Sequence, residues 1–347
     1  MFKKLVPGLV LATLGFYIVV SGIGQKTLSG KENDNFPAPI SNQSPDENLV
    51  LFTSSELNAP VPIVVDISSK AEIQVEPELG INADYKLLLL DKLTADKWSE
   101  VELATLLTLL ADQRTQFLPR ELTTNITHKE TAKLYKHNLT QASLKICEGF
   151  WKDNRTLVRK GAGDNKVPLS IIVSIMFVET KLGRVLGDKL VFNVFWSLAV
   201  ADHPDVMNEF LNKKDINNPD SRKRLKKRSA WGRKELRELV ALSMEKKLDP
   251  LSLKGSWAGA FGLAQFLPSS YRHYSRDGNG DGVIDLFTIE DATASIDNYL
   301  RKNGWRQNGT RQQHKKTIMR YNISSHYADC VMTLSDKLKA RINDLQH

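Results

Sequence analysis

The sequence predicts a mainly α-helical protein. From residue 84 onward, apolar residues recur every three or four positions, which is the period of one face of an α-helix. The chain has 347 residues, of which 41% are hydrophobic and 25% charged, so one large or two ordinary domains can build a sizeable core. Helix-end signals support this fold class: Ser99 with Glu102 forms a capping-box pattern, and Pro168 and Gly183 suit the start and end of one apolar helix.

The predicted helices follow one another along the chain without an evident repeat. In order they cover 86–97, 99–113, 129–151, 168–183, 206–211, 234–247, 288–303, 314–321 and 328–345. Tyr321 and Asn322 fall at a polar turn between the last two. We therefore expect one helical domain over residues 84–347.

The N-terminal residues have the layout of an export signal. Lys3 and Lys4 precede an apolar stretch over 9–20, and small residues follow at Gly22 and Gly24. Residues 1–24 are thus a signal peptide or, if uncleaved, a membrane anchor formed by 5–24. Residues 25–83 are rich in Asn, Ser, Pro, Asp and Glu, which predicts a linker or loosely ordered arm. The expected location is the periplasm or the cell envelope.

The charge distribution indicates which partners the protein can bind, and the two cysteines leave a disulfide open. The formal net charge of +8 favours anionic partners, and nine basic residues concentrate in 221–237. That segment is either a solvated loop or helix face or a contact for an anionic envelope surface. Proteins that bind single-stranded nucleic acid place aromatic side chains among the basic ones, so that bases can stack on them. Trp231 is the only aromatic residue of this segment, so no nucleic-acid partner is expected. Cys147 and Cys330 are either core thiols or a disulfide.

Glu179 is an acidic residue near the end of an apolar run over 167–183. At helical spacing, Ile171 and Ile175 share its face. A carboxylate there must reach a partner, reach a cleft or take up a proton, because desolvation disfavours its charged form. A carboxyl group that donates a proton is the tool of a glycosidase acid. The alternative is a Glu that points to solvent at a helix end.

The segment 255–271, GSWAGAFGLAQFLPSSY, has three glycines in its first eight positions. Glycine costs about 1 kcal/mol relative to Ala inside a helix, so this density indicates close packing or ligand contact. Groups suited to a neutral polar ligand such as a sugar are the hydrogen-bonding Ser256, Gln265 and Tyr271 and the stacking Trp257 and Phe261. Tight helix packing with a turn at Pro268 is an equally good interpretation.

A third segment, 277–285, matches the calcium loop of an EF-hand. Oxygen ligands fall at positions 1, 3, 5, 7 and 9, namely Asp277, Asn279, Asp281, the Val283 carbonyl and Asp285. Thr288 stands at position 12 instead of the bidentate Glu, so Glu290 or Asp291 would have to supply that carboxylate from a longer loop. With a single loop, a structural Ca²⁺ is expected rather than a sensor. An Asp/Gly turn without a metal is the alternative.

Four motifs in this order and spacing resemble the lytic murein transglycosylase B family. They are VETKLGRVLG at 178–187, the segment 255–271, NGDG at 279–282 and NYLRKNGW at 298–305. The resemblance covers roughly residues 84–345 and implies a lysozyme-like fold and cleavage of peptidoglycan. The basic segment has no motif match, and the first 83 residues lie outside the resemblance.

The resemblance also implies roles for individual residues. Glu179 matches the family's single catalytic acid. The positions that line the sugar-binding groove match Ser256, Gln265, Tyr299, Tyr321 and Asn322. The family's calcium loop matches Asp277, Asn279, Asp281, Val283 and Asp291, which favours Asp291 over Glu290.

A single catalytic carboxylate suggests a specific reaction. Glycoside hydrolysis normally needs two carboxylates, whereas a lytic transglycosylase uses one residue as acid and then as base and closes a 1,6-anhydro ring. Two other functions remain open. One is a non-catalytic peptidoglycan-binding or scaffolding protein of the same fold. The other is a calcium-dependent nucleic-acid or membrane-surface module built around 221–237.

Overall fold

Helices form nearly all the regular structure in the computed structural model, which describes residues 82–128, 131, 133–163 and 167–342. All of these belong to one unit, Leu79–His347. The expected signal or anchor at 1–24, and the expected arm at 25–83 apart from its last two residues, lie outside the described residues. Within the described residues, no helix is both long enough and apolar enough to cross a bilayer.

The α-helices of the described residues are joined mostly by short connections, apart from the longer segments 245–267 and 275–288. In chain order they are α1 Asn82–Ala95, α2 Glu100–Ala111, α3 Pro119–Thr127, α4 Lys133–Lys136, α5 Gln141–Ala162, α6 Leu169–Thr180, α7 Val191–Ala199, α8 Pro204–Phe210, α9 Lys213–Asn217, α10 Pro219–Met244, α11 Pro268–Tyr274, α12 Ile289–Lys302, α13 Arg311–Tyr321 and α14 Ser325–Arg341. Two short antiparallel strands complete the described structure, β1 Lys189–Leu190 and β2 Lys254–Gly255.

Two apolar helices form the centre of the core. In α6 every residue from Leu169 to Phe177 is buried, and in α7 all nine residues are buried. α14 packs against α6, α10 packs against α7, and α12 packs against α5. Because α6 is enclosed on all sides, its sequence is a continuous apolar run rather than an amphipathic one. Truncating a core side chain such as Ile172 to Ala would cost about 2–5 kcal/mol.

Capping residues fix the helix starts. The predicted box at α2 is confirmed: Ser99 Oγ accepts the N–H of Glu102 at 3.3 Å, and Glu102 Oε2 accepts the N–H of Ser99 at 2.8 Å. A second box, between Thr310 and Gln313, begins α13 and was not predicted. Caps of this kind stabilise a helix by about 1 kcal/mol each.

The prediction of one helix over 129–151 was wrong. Instead, α4 and a single 3-10 turn, His137–Leu139, precede α5. Thr140 is extended, and its side chain accepts the N–H of Ser143, so a new helix starts there. A strong N-cap in mid-segment thus overrode the apolar spacing.

Three further predictions are corrected or decided. The segment 255–267 is not helical but consists of β2 and turns, with Gly259 and Gly262 in the left-handed region at φ +81° and +72°. The basic segment 221–237 lies within α10 and is not a loop. Cys147 and Cys330 are both free and buried, so the disulfide alternative is wrong.

Candidate active site

Glu179 lies in the last turn of α6 and is half-buried. The helix stops directly after it, because Lys181 and Leu182 adopt left-handed φ angles of 53° and 60°. Thr180 secures this stop: its hydroxyl donates to the Met176 carbonyl and accepts the N–H of Gly183, both at 3.0 Å. The chain therefore leaves the core at this point and holds one carboxyl group at the edge of an apolar helix.

The Glu179 side chain lines a cleft of about 490 Å³ together with Ser256 and Gln265. Three of the predicted site residues, separated by up to 86 positions in the chain, are thus brought to one place. A further wall of the cleft comes from α3, with Arg120, Glu121 and Thr124. Clefts of a few hundred cubic ångströms with converging polar groups are the usual form of ligand sites.

A tightly folded turn positions Ser256 and Gln265. The N–H of Ser256 donates to the Ala260 carbonyl at 2.8 Å, and Ser256 Oγ accepts the N–H of Ala260 at 3.2 Å. A Cβ atom on Gly259 would lie 2.4 Å from the ring of Phe195, so only glycine fits there. This requirement for close approach explains the glycines that the sequence showed.

Gln265 itself has a positive φ of 46°, which is strained for a residue with a side chain. Its amide Nε2 donates to the Gly262 carbonyl at 3.0 Å, which holds the side chain at the cleft. Left-handed non-glycine residues cost roughly 1–3 kcal/mol and concentrate at functional sites. The strain at Gln265 therefore supports its assignment to the site.

Of the two aromatic residues expected to offer a stacking surface, only Trp257 is exposed at the cleft. Its side chain is 37% exposed and lines the cleft, whereas Phe261 is buried in the core. Tyr271 is also buried, and its hydroxyl donates to the Ile284 carbonyl at 2.9 Å. The expectation that Phe261 and Tyr271 contact a ligand was wrong, because both are used in packing.

Tyr299 and Tyr321 belong to an aromatic cluster beside the cleft; among the described residues, the lining includes neither of them nor Asn322. Their rings lie 4.8 Å apart, and both pack against Phe266. The Tyr321 hydroxyl donates to the Ala264 carbonyl, directly before Gln265. Asn322 follows as the C-cap of α13. This cluster supports the strained turn from behind.

Tyr327 is a neighbour of Glu179 that the motifs did not assign. Burial, and next the Glu179 charge, raise the pKa of Tyr327 and of Tyr321 well above the ordinary value for tyrosine. The Tyr327 hydroxyl and the Glu179 carboxyl interact, although their geometry falls short of a regular hydrogen bond. Both phenols therefore stay neutral and form a largely dry side of the Glu179 environment.

The α3 wall was not predicted. Asn125 Nδ2 donates to the Trp257 carbonyl at 2.9 Å, and the His128 and Trp257 rings lie 5.1 Å apart, so α3 fixes Trp257. Glu121 is a second carboxylate in the cleft lining, 3.6 Å from the Lys189 ammonium group. The one available signal was Pro119 at the first position of this helix.

The predicted calcium loop folds around its own acidic side chains. Asp277 accepts the N–H groups of Gly282 and Gly280 at 2.8 and 2.6 Å, and these bonds lower the pKa of its carboxyl group. Asp291 is fully buried and accepts the N–H groups of Gly278 and Asp285 at 2.8 and 2.7 Å. Asp291, from the first turn of α12, therefore closes the loop.

The end of this loop is joined to the cleft. The N–H of Leu263 donates to the Leu286 carbonyl at 2.8 Å, and a Cβ atom on Gly262 would collide with Leu286. Among the described residues, no group of three or more His, Cys, Asp and Glu side chains surrounds a common point. The two contacts of Leu286, with Leu263 and with Gly262, mean that the end of the loop supports the turn that carries Gln265.

Comparison with known proteins identifies the family. Residues 89–315 match the transglycosylase SLT domain family. The chain belongs to this family. Over 156 residues it is 33% identical to membrane-bound lytic murein transglycosylase B of Escherichia coli (strain K12), a match that covers 45% of this chain and 37% of that protein. The chain thus spans about a third of the length of this relative.

Solved transglycosylase structures share the fold of this SLT-family chain. Soluble lytic transglycosylase SltB1 from Pseudomonas aeruginosa has a TM-score of 0.57 and 24% identity, with 74% of this chain and 99% of that chain covered. Escherichia coli Slt35, solved in complex with calcium, has a TM-score of 0.55 and 22% identity, with 76% and 95% covered. The predicted mainly helical, lysozyme-like fold is confirmed.

Proposed function

We propose that this SLT-family protein is a lytic transglycosylase of peptidoglycan. It cleaves the β-1,4 bond between N-acetylmuramic acid and N-acetylglucosamine and leaves a 1,6-anhydromuramic acid end. The observation that carries the proposal is the position of Glu179, held by a helix stop at a cleft that it shares with Ser256 and Gln265. Family membership and the shared fold support it.

The reaction needs two proton transfers at one carboxyl group. Protonated Glu179 donates to the glycosidic oxygen, the bond to the muramoyl C1 breaks, and the N-acetylglucosamine part leaves as an alcohol. The muramoyl acetamido group stabilises the positive charge that develops at C1. Glu179, now ionised, then removes the proton of the muramoyl 6-hydroxyl, and O6 bonds to C1. The same residue is acid and then base, and its proton is restored.

The surroundings of Glu179 suit this cycle. The buried Tyr327 and the half-buried Tyr321 flank it, and the apolar body of α6 lies behind it. Removing water from around a carboxyl group disfavours its charged form. The two phenols also keep water away from this side of Glu179, where it would compete with the 6-hydroxyl for C1.

We assign the substrate contacts to the turn and the cluster behind it. Ser256 and Asn322 position the acetamido group, and Gln265 contacts the sugar ring. Tyr299 and Tyr321 lie beside the lining residues and are only half-buried, so their exposed parts extend the groove. Trp257 supplies the exposed stacking face. SltB3 of Pseudomonas aeruginosa, a protein of the same fold at 17% identity and a TM-score of 0.55, was solved in complex with NAG-anhNAM-pentapeptide, covering 74% of this chain and 78% of that one.

We also propose a structural Ca²⁺ in the 277–285 loop, held by Asp277, Asn279, Asp281, the Val283 carbonyl and Asp291. All are oxygen donors, as a hard cation requires. The four carboxylates at 277, 281, 285 and 291 have no ion-pair partner among the described residues, so a cation would offset their charge. When bound, the ion would tie the loop to α12 and so stiffen the support of Gln265.

The place of action follows from the N-terminal residues. Lys3, Lys4 and the apolar stretch over 9–20 favour export, with cleavage or retention as an anchor. The Escherichia coli relative is named as membrane-bound. We therefore place the protein in the periplasm or at the cell envelope.

Digestion of purified sacculi tests the proposed activity. The full chain is incubated with sacculi, and the released muropeptides are separated and weighed by mass spectrometry. We expect soluble products that end in 1,6-anhydromuramic acid. Products with a reducing muramic acid end would make the protein a hydrolase. Tight binding to sacculi without release of any muropeptide would favour the non-catalytic scaffold.

A further inference from the structure

The helix α10 presents two chemically different faces. Its buried stripe contains Leu225, Ser229, Gly232 and Leu236. At about 100° per residue, the opposite side of the helix is centred on positions 223, 227, 230 and 234. Lys223, Lys227, Ala230 and Lys234 occupy these positions, and all four are exposed. A row of lysines therefore runs along the outermost line of the helix.

Most of the basic residues in the predicted segment have no acidic partner. Arg233 pairs with Asp96, and Arg237 pairs with Glu102, each at 2.6 Å, so these two hold α10 to the domain. The remaining seven form no ion pair with any described residue. They are Arg222, Lys223, Arg224, Lys226, Lys227, Arg228 and Lys234. Their charge is available to an external partner.

The shape and composition of this face favour one kind of partner. Trp231 is half-buried, packs edge-on against Phe195 at 5.4 Å and lies 5.3 Å from the guanidinium group of Arg228. It cannot stack on a nucleic-acid base without unpacking. An exposed, basic helix face without a free aromatic side chain matches an extended anionic surface, such as the headgroups of a bilayer.

The basic face also adjoins the cleft. Arg224 Nη1 donates to the Ile126 carbonyl at 3.4 Å, so α10 contacts the end of α3. Arg120, Glu121 and Thr124 of the same helix line the cleft. A surface bound to α10 would therefore hold the α3 side of the cleft close to it.

We propose that the outward face of α10 is a docking surface for a membrane rich in anionic phospholipid. The proposal rests on the assigned envelope location and not on lytic activity. Docking would keep the cleft at the membrane-proximal layers of peptidoglycan. It would do so with or without cleavage of residues 1–24, because the charges lie in the folded domain.

A fluorescence measurement on the full chain tests this surface. Ala230→Cys places a donor dye at the centre of the face, while Cys147 and Cys330 are buried and resist labelling. Vesicles carry an acceptor dye on a headgroup and contain either phosphatidylcholine alone or phosphatidylcholine with phosphatidylglycerol. We expect energy transfer on the anionic vesicles that falls steeply with salt.

Two triple variants make the test specific. K223Q/K227Q/K234Q removes the outer row, and K152Q/K160Q/K316Q removes three exposed lysines elsewhere, so the net charge changes equally. Each lysine near an anionic surface contributes roughly a fivefold gain in affinity, so the first variant should bind vesicles about 100-fold more weakly. The second variant should bind them about as well as the wild type. Both should digest isolated glycan strands normally, which separates this proposal from the proposed activity.

Three outcomes would overturn the proposal. One is equal energy transfer on neutral and anionic vesicles, which would assign the contact to residues 1–24. Another is that the two triple variants weaken vesicle binding equally, which would mean that net charge alone, and not the face of α10, determines binding. The third is binding to duplex DNA or inorganic polyphosphate that is tighter than binding to anionic vesicles, which would make the face a site for free phosphate polymers.

Discussion

The cleft has two walls that are built in different ways. The first consists of the end of α6 and the turn over 255–267, and its shape depends on backbone conformation: a helix stop, close-packed glycines and the strained Gln265. The second is α3, an ordinary short helix whose side chains, from the exposed Arg120 to the buried Glu121, reach the cleft. The backbone-built wall has little freedom to change, and we assign the chemistry to it. The side-chain wall can vary without refolding the site.

The largest expected contrast between the walls comes from their two carboxylates. Glu179→Gln removes the proton donor and should lower kcat by about 10³-fold or more, because general acid–base catalysis contributes roughly 10²–10⁴ per step. Glu121→Gln, the matched change on α3, should leave kcat within a few-fold and alter KM by less than about tenfold. Soluble glycan strands are the substrate, and circular dichroism checks both folds. A large loss of kcat in Glu121→Gln would give the second wall a chemical role.

This contrast also explains how far the sequence predicts the site. Glu179, Ser256 and Gln265 were predicted because backbone-built features leave marks in the sequence, such as glycines, a helix stop and fixed spacing. The α3 wall leaves few such features in the sequence, because its nine residues are mostly polar and because its position depends on contacts with residues distant in sequence. Asn125, for example, binds the carbonyl of Trp257, 132 positions further along. Local patterns cannot supply that information.

The same limit explains the fold-level errors. The continuous apolar run of α6 predicted a buried helix correctly. The split between α4 and α5 depends on the single N-cap at Thr140. The glycines at 255, 259 and 262 are compatible with a packed helix as well as with a turn. The close approach of Gly259 to Phe195, a residue distant in sequence, explains why the turn forms.

The second prediction tests whether the first wall depends on close packing. Gly259→Ala adds a Cβ atom 2.4 Å from the Phe195 ring at φ +81°, whereas Gly280→Ala has the same φ and nothing within 4 Å. Backbone strain costs about 1–2 kcal/mol in both, and overpacking adds about 1–3 kcal/mol only at Gly259. Thermal unfolding should therefore show a clearly lower Tm for Gly259→Ala. Equal Tm values would mean that the turn tolerates displacement of Phe195.

The third prediction concerns the loop that braces the first wall. Calcium at about 100 times its Kd should raise the free energy of unfolding by roughly 2.7 kcal/mol, because it binds only the folded state. This corresponds to an increase in Tm of about 5–10 °C. Asp277→Asn should remove most of this shift, while Asp153→Asn on the surface of α5 should retain it. A chelator should reverse the shift in the wild type. Identical Tm values with calcium and with chelator would favour the metal-free Asp/Gly turn.

The smallest expected effect concerns the ion pair that fixes α10 behind the second wall. Hydrogen bonding from Arg237 holds the pKa of Glu102 at about 2, below its ordinary value of 4.5. A lowered folded-state pKa stabilises the fold above pH 4.5, and this contribution is lost as pH falls toward 2. Glu102→Gln should thus cost about 1 kcal/mol at pH 7, because the pair is partly exposed, and less at pH 3. Tm values at the two pH values measure the difference, and a constant cost would exclude the ion pair as its source.

Digestion of sacculi in water enriched with ¹⁸O tests most directly whether Glu179 performs both proton transfers with the 6-hydroxyl as nucleophile. Mass spectrometry follows the label at the muramoyl C1, with Glu179→Gln as the inactive control. We expect 1,6-anhydromuramoyl ends that carry no ¹⁸O. Reducing muramoyl ends that contain ¹⁸O would contradict this mechanism, since they would show that water attacked C1.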